Sequence, residues 1–307
     1  MIKCCSQFYY EVNPIDKVTN SKHEVGKIDL KPGLFIVATP IGNLGDISLR
    51  ALETLNSADQ IVCEDTRVTK KLLKRFAIST RLTSYHEYNA KRYRPKLIAK
   101  LLDGGALALV SDAGTPTICD PGFKLVKECI FNNIPITFLP GASASLSGLV
   151  LSGLPTDRFY FHGYLAAKQK KRREELYDLG AIPSTIVFYE TSERLVGALE
   201  DVLTVLGNRE IAVARELTKL YEEIKRGRAR EILRELCSKQ KLKGEYVIVL
   251  GPKATEVVGD EELSKILLNR MDDMSLKDAV LEVASLTKRS RQEIYKIALA
   301  VKKTKKG

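Results

Sequence analysis

The stretch Val110–Gly122, "VSDAGTPTICDPG", leaves the apolar run "ALALV" through an acid, two glycines and two prolines before a helix-like segment begins. A chain that ends a strand this way turns sharply, and glycine lets its backbone come close to a ligand. Two more segments have the same form: "TPIGNLGD" (39–46) after "LFIVA", and "PGASAS" (140–145) after "ITFL". Backbone N–H groups beside a following helix hold carboxylates and phosphates. Asp112 accepts from hydroxyl or ammonium groups, and Ser143 either caps its helix or contacts a ligand. None of the three loops matches G-x-x-x-x-G-K-S/T or a clean G-x-G-x-x-G, which disfavours a nucleotide hydrolase and a plain dinucleotide dehydrogenase.

Outward from that stretch, strands alternate with helices. "LFIVATP", "DQIVCED", "RLTSYHE", "ALALVSD" and "PITFLPG" read as strands. Between them "SLRALETLNSA" (capped by Ser48), "TRVTKKLLKRF", a segment around "PKLIAKLLDG" and "PGFKLVKECIFNN" have helical spacing, and a small-residue helix, "ASASLSGLVLSGL", follows. The alternation predicts right-handed crossovers, a mostly parallel sheet and a ligand crevice beyond the carboxyl ends of the strands. Asp112 to Thr115 fall in that crevice. Past Leu154 and Pro155 the alternation resumes, with Ser192 capping "SERLVGALEDVLTVLG" and with "EIAVAREL" and "EEIKRGRA" as paired strands. The expected organisation is α/β: an N-terminal lobe over 33–153 and a C-terminal lobe over 154–252. A linker near 253–262 leads to a helical module within 260–302, two helices joined by "TKRSR", with a basic tail. Residues 1–32 show no steady period and read as a poorly ordered extension.

The chain has 307 residues and a net charge of +11, which favours polyanionic partners, nucleic acid first. Its cations cluster at 71–75, 91–96, 168–173 and in the tail. Each cluster is either a phosphate track or a solvated face. No apolar run approaches the roughly 18 residues of a membrane span, and the N-terminus lacks a secretory core, so the expected location is cytoplasmic. Six cysteines without a C-x-x-C pair and three scattered histidines predict free thiols and no metal site.

"ATPIGNLGDIS", "CEDTR", "VSDAGTPTICDPG", "PGASA", "GLPTDRF", "IVFYE" and "ARELTK" follow one another in order. This series resembles the ribosomal RNA small subunit methyltransferase I family of the tetrapyrrole-methylase superfamily. The resemblance covers about residues 33–252 and the helical module, not the first 32 residues. It implies two α/β lobes with S-adenosylmethionine in the cleft between them. The reaction implied is methylation of a cytidine ribose 2′-hydroxyl in the decoding region of small-subunit ribosomal RNA, free or assembled, by a homodimer. Porphyrin-methylating relatives carry "GxGPGD" in the first loop; this chain has "ATPIGN", which argues against a macrocycle substrate.

Carried over by motif, the cofactor positions are Ile41, Asp112, Ala113, Gly114, Thr117, Ser143, Ala144, Glu190 and Leu217, the last two differing in identity from the porphyrin enzymes. Glu64 and His86 align with acid–base positions of those relatives, and Asp65 is a third candidate proton acceptor. The alternative roles are structural: Glu64 capping a helix, Asp65 pairing with Arg67, and His86 bonding a loop. Arg67 is a candidate for a bidentate phosphate contact, and Lys168, Lys170, Lys171, Arg172 and Arg173 of "KQKKRR" for an RNA track. Tyr85, Tyr88 and Tyr93 either stack on bases or pack internally. Two other functions stay open at this point: a small-molecule methyltransferase acting on a tetrapyrrole, and a non-catalytic RNA-binding relative.

Overall fold

The computed structural model describes residues 25–238, 241–253, 259–287 and 289–304. The first sheet contains β1 (Gly33–Val37), β2 (Gln60–Cys63), β3 (Leu82–Ser84), β4 (Ala106–Val110) and β5 (Ile136–Leu139). Its order is β3-β2-β4-β1-β5, parallel throughout. Every residue of β4 is buried, as expected of a strand covered on both faces. Four helices supply that cover: α1 (Leu49–Ser57), α2 (Thr66–Arg75), α3 (Glu87–Leu102) and α4 (Phe123–Phe131). Ser48 caps α1 as predicted, accepting from the Ala51 N–H at 3.2 Å. The helix expected around Pro95 begins earlier, at Glu87. Asn89 Oδ1 accepts from the His86 N–H at 3.0 Å and starts it there, and Pro95 sits on its exposed side.

Residues 25–32 do not form a free extension. Val25 and Leu30 pack against the core under α1, and the Ile28 N–H donates to Ser57 Oγ at 2.8 Å. Residues 1–24, with the rest of that expected extension, lie outside the described residues, as do Lys305 and Lys306 of the basic tail.

The second sheet contains β6 (Phe159–Tyr164), β7 (Thr185–Thr191), β8 (Glu210–Arg215), β9 (Glu223–Arg228) and β10 (Glu245–Leu250), in the order β6-β7-β10-β8-β9. Here the parallel expectation fails: only β6 and β7 are parallel. The expected pair β8 and β9 is joined by a short turn with no crossover helix, which forces antiparallel pairing, and β10 inserts antiparallel between β7 and β8. Helices α6 (Gln169–Gly180), α7 (Leu195–Leu206) and α8 (Ala229–Cys237) cover one face of this sheet. Ser192 does not cap α7. Residues 192–194 form a turn, and Arg194 holds the cap position while pairing with Glu190 Oε1 at 3.1 Å.

The other face of the second sheet meets α5 (Ala144–Ser152), the small-residue helix after β5. Leu149 of α5 and Ile41 of the first loop join Val187, Ala212, Val247 and Val249 in one buried cluster, so the lobes share a seam. Gly148 makes that approach possible: a Cβ there would lie 2.6 Å from Val247 Cγ1. The C-terminal module has three helices rather than two: α9 (Asp260–Asp273), α10 (Leu276–Thr287) and α11 (Arg291–Thr304). They share their own apolar cluster, and α9 begins within the expected linker. No described helix is long and apolar enough to cross a membrane.

Overpacking the seam costs stability. Gly148→Val is expected to lower unfolding free energy by about 1–3 kcal/mol, read as a lower denaturant midpoint at unchanged slope.

Candidate active site

Between the lobes lies a cavity of about 250 Å³. Its first wall is made of the loops that follow β1, β4 and β5. Thr39 and Gly114 exchange backbone hydrogen bonds at 2.8 and 3.0 Å, and the Thr39 hydroxyl donates to the Ser111 carbonyl at 3.2 Å. These bonds satisfy backbone groups that the sheet no longer pairs. Gly114 has φ +80°, and a Cβ there would stand 3.4 Å from the Ile41 side chain on the cavity wall. Thr117 and Cys119 are also left-handed, at φ +74° and +63°, a conformation uncommon for residues with side chains. Ser143 caps α5, the first of its two expected roles, and also lines the cavity.

The second wall comes from β7, β10 and the turn after β8. The Tyr189 hydroxyl accepts from the Ser145 N–H at 3.1 Å, and its ring meets Phe161 and Tyr164 edge-on. Glu216 and Thr218 are left-handed at φ +50° and +63°. Thr218 Oγ1 accepts from the Asn43 N–H at 3.1 Å, tying the first loop to the second lobe. Backbone strain of this kind persists only where surrounding structure over-determines it.

Carboxylates concentrate in the throat. Glu190 is 1% exposed; its Oε1 accepts from the Thr191 N–H and pairs with Arg194, while its Oε2 is buried without a partner in the protein. Burial pushes its carboxyl upward, opposed by the Thr191 N–H and by Arg194 and Arg172. Burial also pushes Asp120 up to about 6; a hydrogen bond from Ser111 opposes this, and the Glu64 and Asp112 charges add to it. Glu64 is raised by burial and by Asp112, against the opposing influence of His86.

Eight of the nine expected cofactor residues line this one cavity: Ile41, Asp112, Ala113, Gly114, Ser143, Ala144, Glu190 and Leu217. Thr117 does not; its methyl packs where a Gly122 Cβ would be, bracing the loop. None of the three candidate proton acceptors lines it either. Asp65 is corrected to a structural role. It caps α2 and forks with Arg67 at 2.6 Å, and those hydrogen bonds hold its carboxyl down at about 2, too weak a base for the task. Glu64 acts on the throat through its charge on Asp120. His86 heads α3 with Nδ1 unpartnered.

Arg172 is likewise corrected. It is 7% exposed and clamped to fully buried Asp201 at 2.7 Å, so it cannot reach RNA. Arg173 shares Asp201 at 2.6 Å, whereas Lys168, Lys170 and Lys171 are exposed. Arg67 stays exposed although Asp65 holds its guanidinium. Of the three tyrosines, Tyr85 is core and Tyr93 half-buried, while Tyr88 is fully in solvent. Reading the sequence missed Tyr164, Tyr189, Lys219 and Asp120. Tyr189 immediately precedes Glu190 in a quoted motif, and Asp120 hid inside "DPG", which reads as turn chemistry.

A family model described as "Tetrapyrrole (Corrin/Porphyrin) Methylases" matches residues 33–233, and one described as "RsmI C-terminal HTH domain" matches 257–302. A Mesorhizobium japonicum protein named "Ribosomal RNA small subunit methyltransferase I" is 43% identical over 92% of this chain and 96% of its own length. The chain belongs to the ribosomal RNA small subunit methyltransferase I family. A second family member, from Escherichia coli, is 42% identical over 87% of this chain and 94% of its own. The family fold recurs in the crystal structure of uroporphyrin-III C-methyl transferase from Thermus thermophilus complexed with S-adenyl homocysteine. That match has a TM-score of 0.50 and 19% identity, and covers 71% of this chain and 97% of the other. At that identity the likeness is one of fold.

Asp201→Ala leaves Arg172 buried without its partner. The expected loss is about 3–5 kcal/mol of unfolding free energy, measured by denaturant titration.

Proposed function

We propose that the protein transfers a methyl group from S-adenosylmethionine to the 2′-hydroxyl of a cytidine ribose in the decoding region of small-subunit ribosomal RNA. The observation that carries this reading is the inter-lobe cavity lined by eight motif positions, among them Glu190, whose buried Oε2 has no partner among the described residues. The residues present suit the cofactor. Glu190 Oε2 is an acceptor waiting for an N–H or O–H donor, Gly114 keeps the wall free of a side chain, and Tyr164 and Tyr189 offer aromatic surface. Bound there, S-adenosylmethionine supplies an activated methyl on sulfonium.

The relatives' name supports an RNA substrate, as does the charge of +11. Exposed cations on α2 (Arg67, Lys70, Lys71 and Lys74) and on α6 (Lys168, Lys170 and Lys171) suit a phosphate track along both lobes. The protein acts in the cytoplasm, where its substrate is assembled. It works as a homodimer, for which the exposed apolar face of α5, Leu146 and Val150, offers a surface. Against a tetrapyrrole substrate stand the basic surface and the "ATPIGN" loop. Holding donor and acceptor in near-attack geometry supplies up to roughly 7–11 kcal/mol of such a reaction's barrier.

Calorimetric titration with S-adenosylmethionine, followed by mapping of ribose methylation in small subunits from cells with and without the protein, tests the reading. Heat of binding and one protein-dependent methylated cytidine support it; no heat, or methylation on a base, removes it. Glu190→Gln is expected to weaken S-adenosylmethionine binding about tenfold or more, by replacing one carboxyl oxygen with an amide nitrogen that cannot accept a hydrogen bond.

A further inference from the structure

A second cavity, of about 330 Å³, opens beside the first. Asp120 lines both, so this residue stands where the two meet. The second cavity lies between one face of α3 and the start of α4. Its cations come from both sides: Lys91 and Arg94 at helical spacing on α3, and Lys124 on α4. Arg94 is committed to Glu128 at 2.6 Å, so Lys91 and Lys124, both exposed, are the cations able to take a new anion. Glu87 is the acid on this rim besides Asp120 itself. The chemistry is that of a site for an anionic group next to an acceptor for a proton.

We propose that this second cavity seats the acceptor nucleotide, its phosphate held by Lys91 and Lys124, and that Asp120 is the catalytic base for its ribose hydroxyl. The inference rests on the methyl-transfer reading and adds to it the acceptor subsite and the base. In the step, the hydroxyl proton passes to the Asp120 carboxylate. The oxygen lone pair forms the new bond to the methyl carbon, and the carbon–sulfur bond breaks with its pair left on sulfur. A sulfonium becomes a neutral thioether, and an alcohol becomes an ether.

The groups facing Asp120 make it suitable. Glu64 from the end of β2 and Asp112 from the end of β4 bring negative charge, and Ser111 donates a hydrogen bond. Tyr164 of β6 and Tyr189 of β7 face it from the second lobe, Cys119 is its chain neighbour, and Lys91, Arg94, Lys124 and Glu87 share the second cavity with it. A carboxyl held at about 6 is ionised at neutral pH yet is a far stronger base than an ordinary aspartate.

Single-turnover methylation of small subunits tests the assignment. The wild-type rate should rise about tenfold per pH unit below 6 and level above it, because the ionised carboxylate is the active form. Asp120→Asn should cut the rate by roughly 10²–10⁴-fold and abolish that rise, at unchanged S-adenosylmethionine affinity. Glu64→Gln should move the rise to lower pH by removing a like charge. Lys91→Ala with Lys124→Ala should lower the salt dependence of RNA binding, by a slope of roughly one per lysine, without changing cofactor affinity. A near wild-type rate in Asp120→Asn overturns the base assignment. Loss of cofactor binding in that variant shows Asp120 serving the donor rather than the acceptor and overturns it too. An unchanged salt slope in the lysine variant removes the phosphate site. A wild-type protein that binds S-adenosylmethionine but leaves ribose unmodified would instead remove the underlying reading.

Discussion

The pairing of Thr39 with Gly114 holds the first wall of the cleft in shape. Parallel strands all release the chain at one edge, where peptide groups lose their ladder partners. Here two such loops satisfy each other, and the Thr39 and Ser111 hydroxyls take up further carbonyls of the same loop. A left-handed residue is needed wherever the chain doubles back to do this. Gly114 and Gly122 supply that conformation freely, while Thr117 and Cys119 adopt it against their preference. On the facing wall Glu216 and Thr218 do the same, and Thr218 reaches across to Asn43. The cleft is thus a backbone frame whose lobes are tied by hydrogen bonds, Asn43 to Thr218 and Ser145 to Tyr189 among them.

That frame separates charges by depth. Glu190, Asp112 and Asp120 line its interior, where burial raises the carboxyls of Glu190 and Asp120, while most lysines and arginines of α2, α3 and α6 occupy the outside. The one deep cation of the basic run, Arg172, is fully absorbed by Asp201.

The first sheet was legible because buried parallel strands are continuous apolar runs and their loops carry glycine and proline at the turns. Motif order then pointed to the cavity wall, where eight of the nine carried-over positions lie together. The second sheet was less legible. A strand inserting into the middle of a sheet, as β10 does, leaves no local mark of its direction. Burial within an amphipathic helix defeated the reading of "KQKKRR", where one arginine in the run turns inward. Asp120 escaped because turn propensity accounts for an aspartate before Pro-Gly completely, and Glu64, whose charge adds to its upward shift, lies far away in sequence.

The frame's curvature comes from main-chain bonds together with the Thr218 and Tyr189 ties between lobes, so the lining side chains outside those bonds are the ones that can be exchanged without loss of shape. An architecture of this kind keeps its outline while its lining changes, and a uroporphyrin methyltransferase shares that outline at 19% identity.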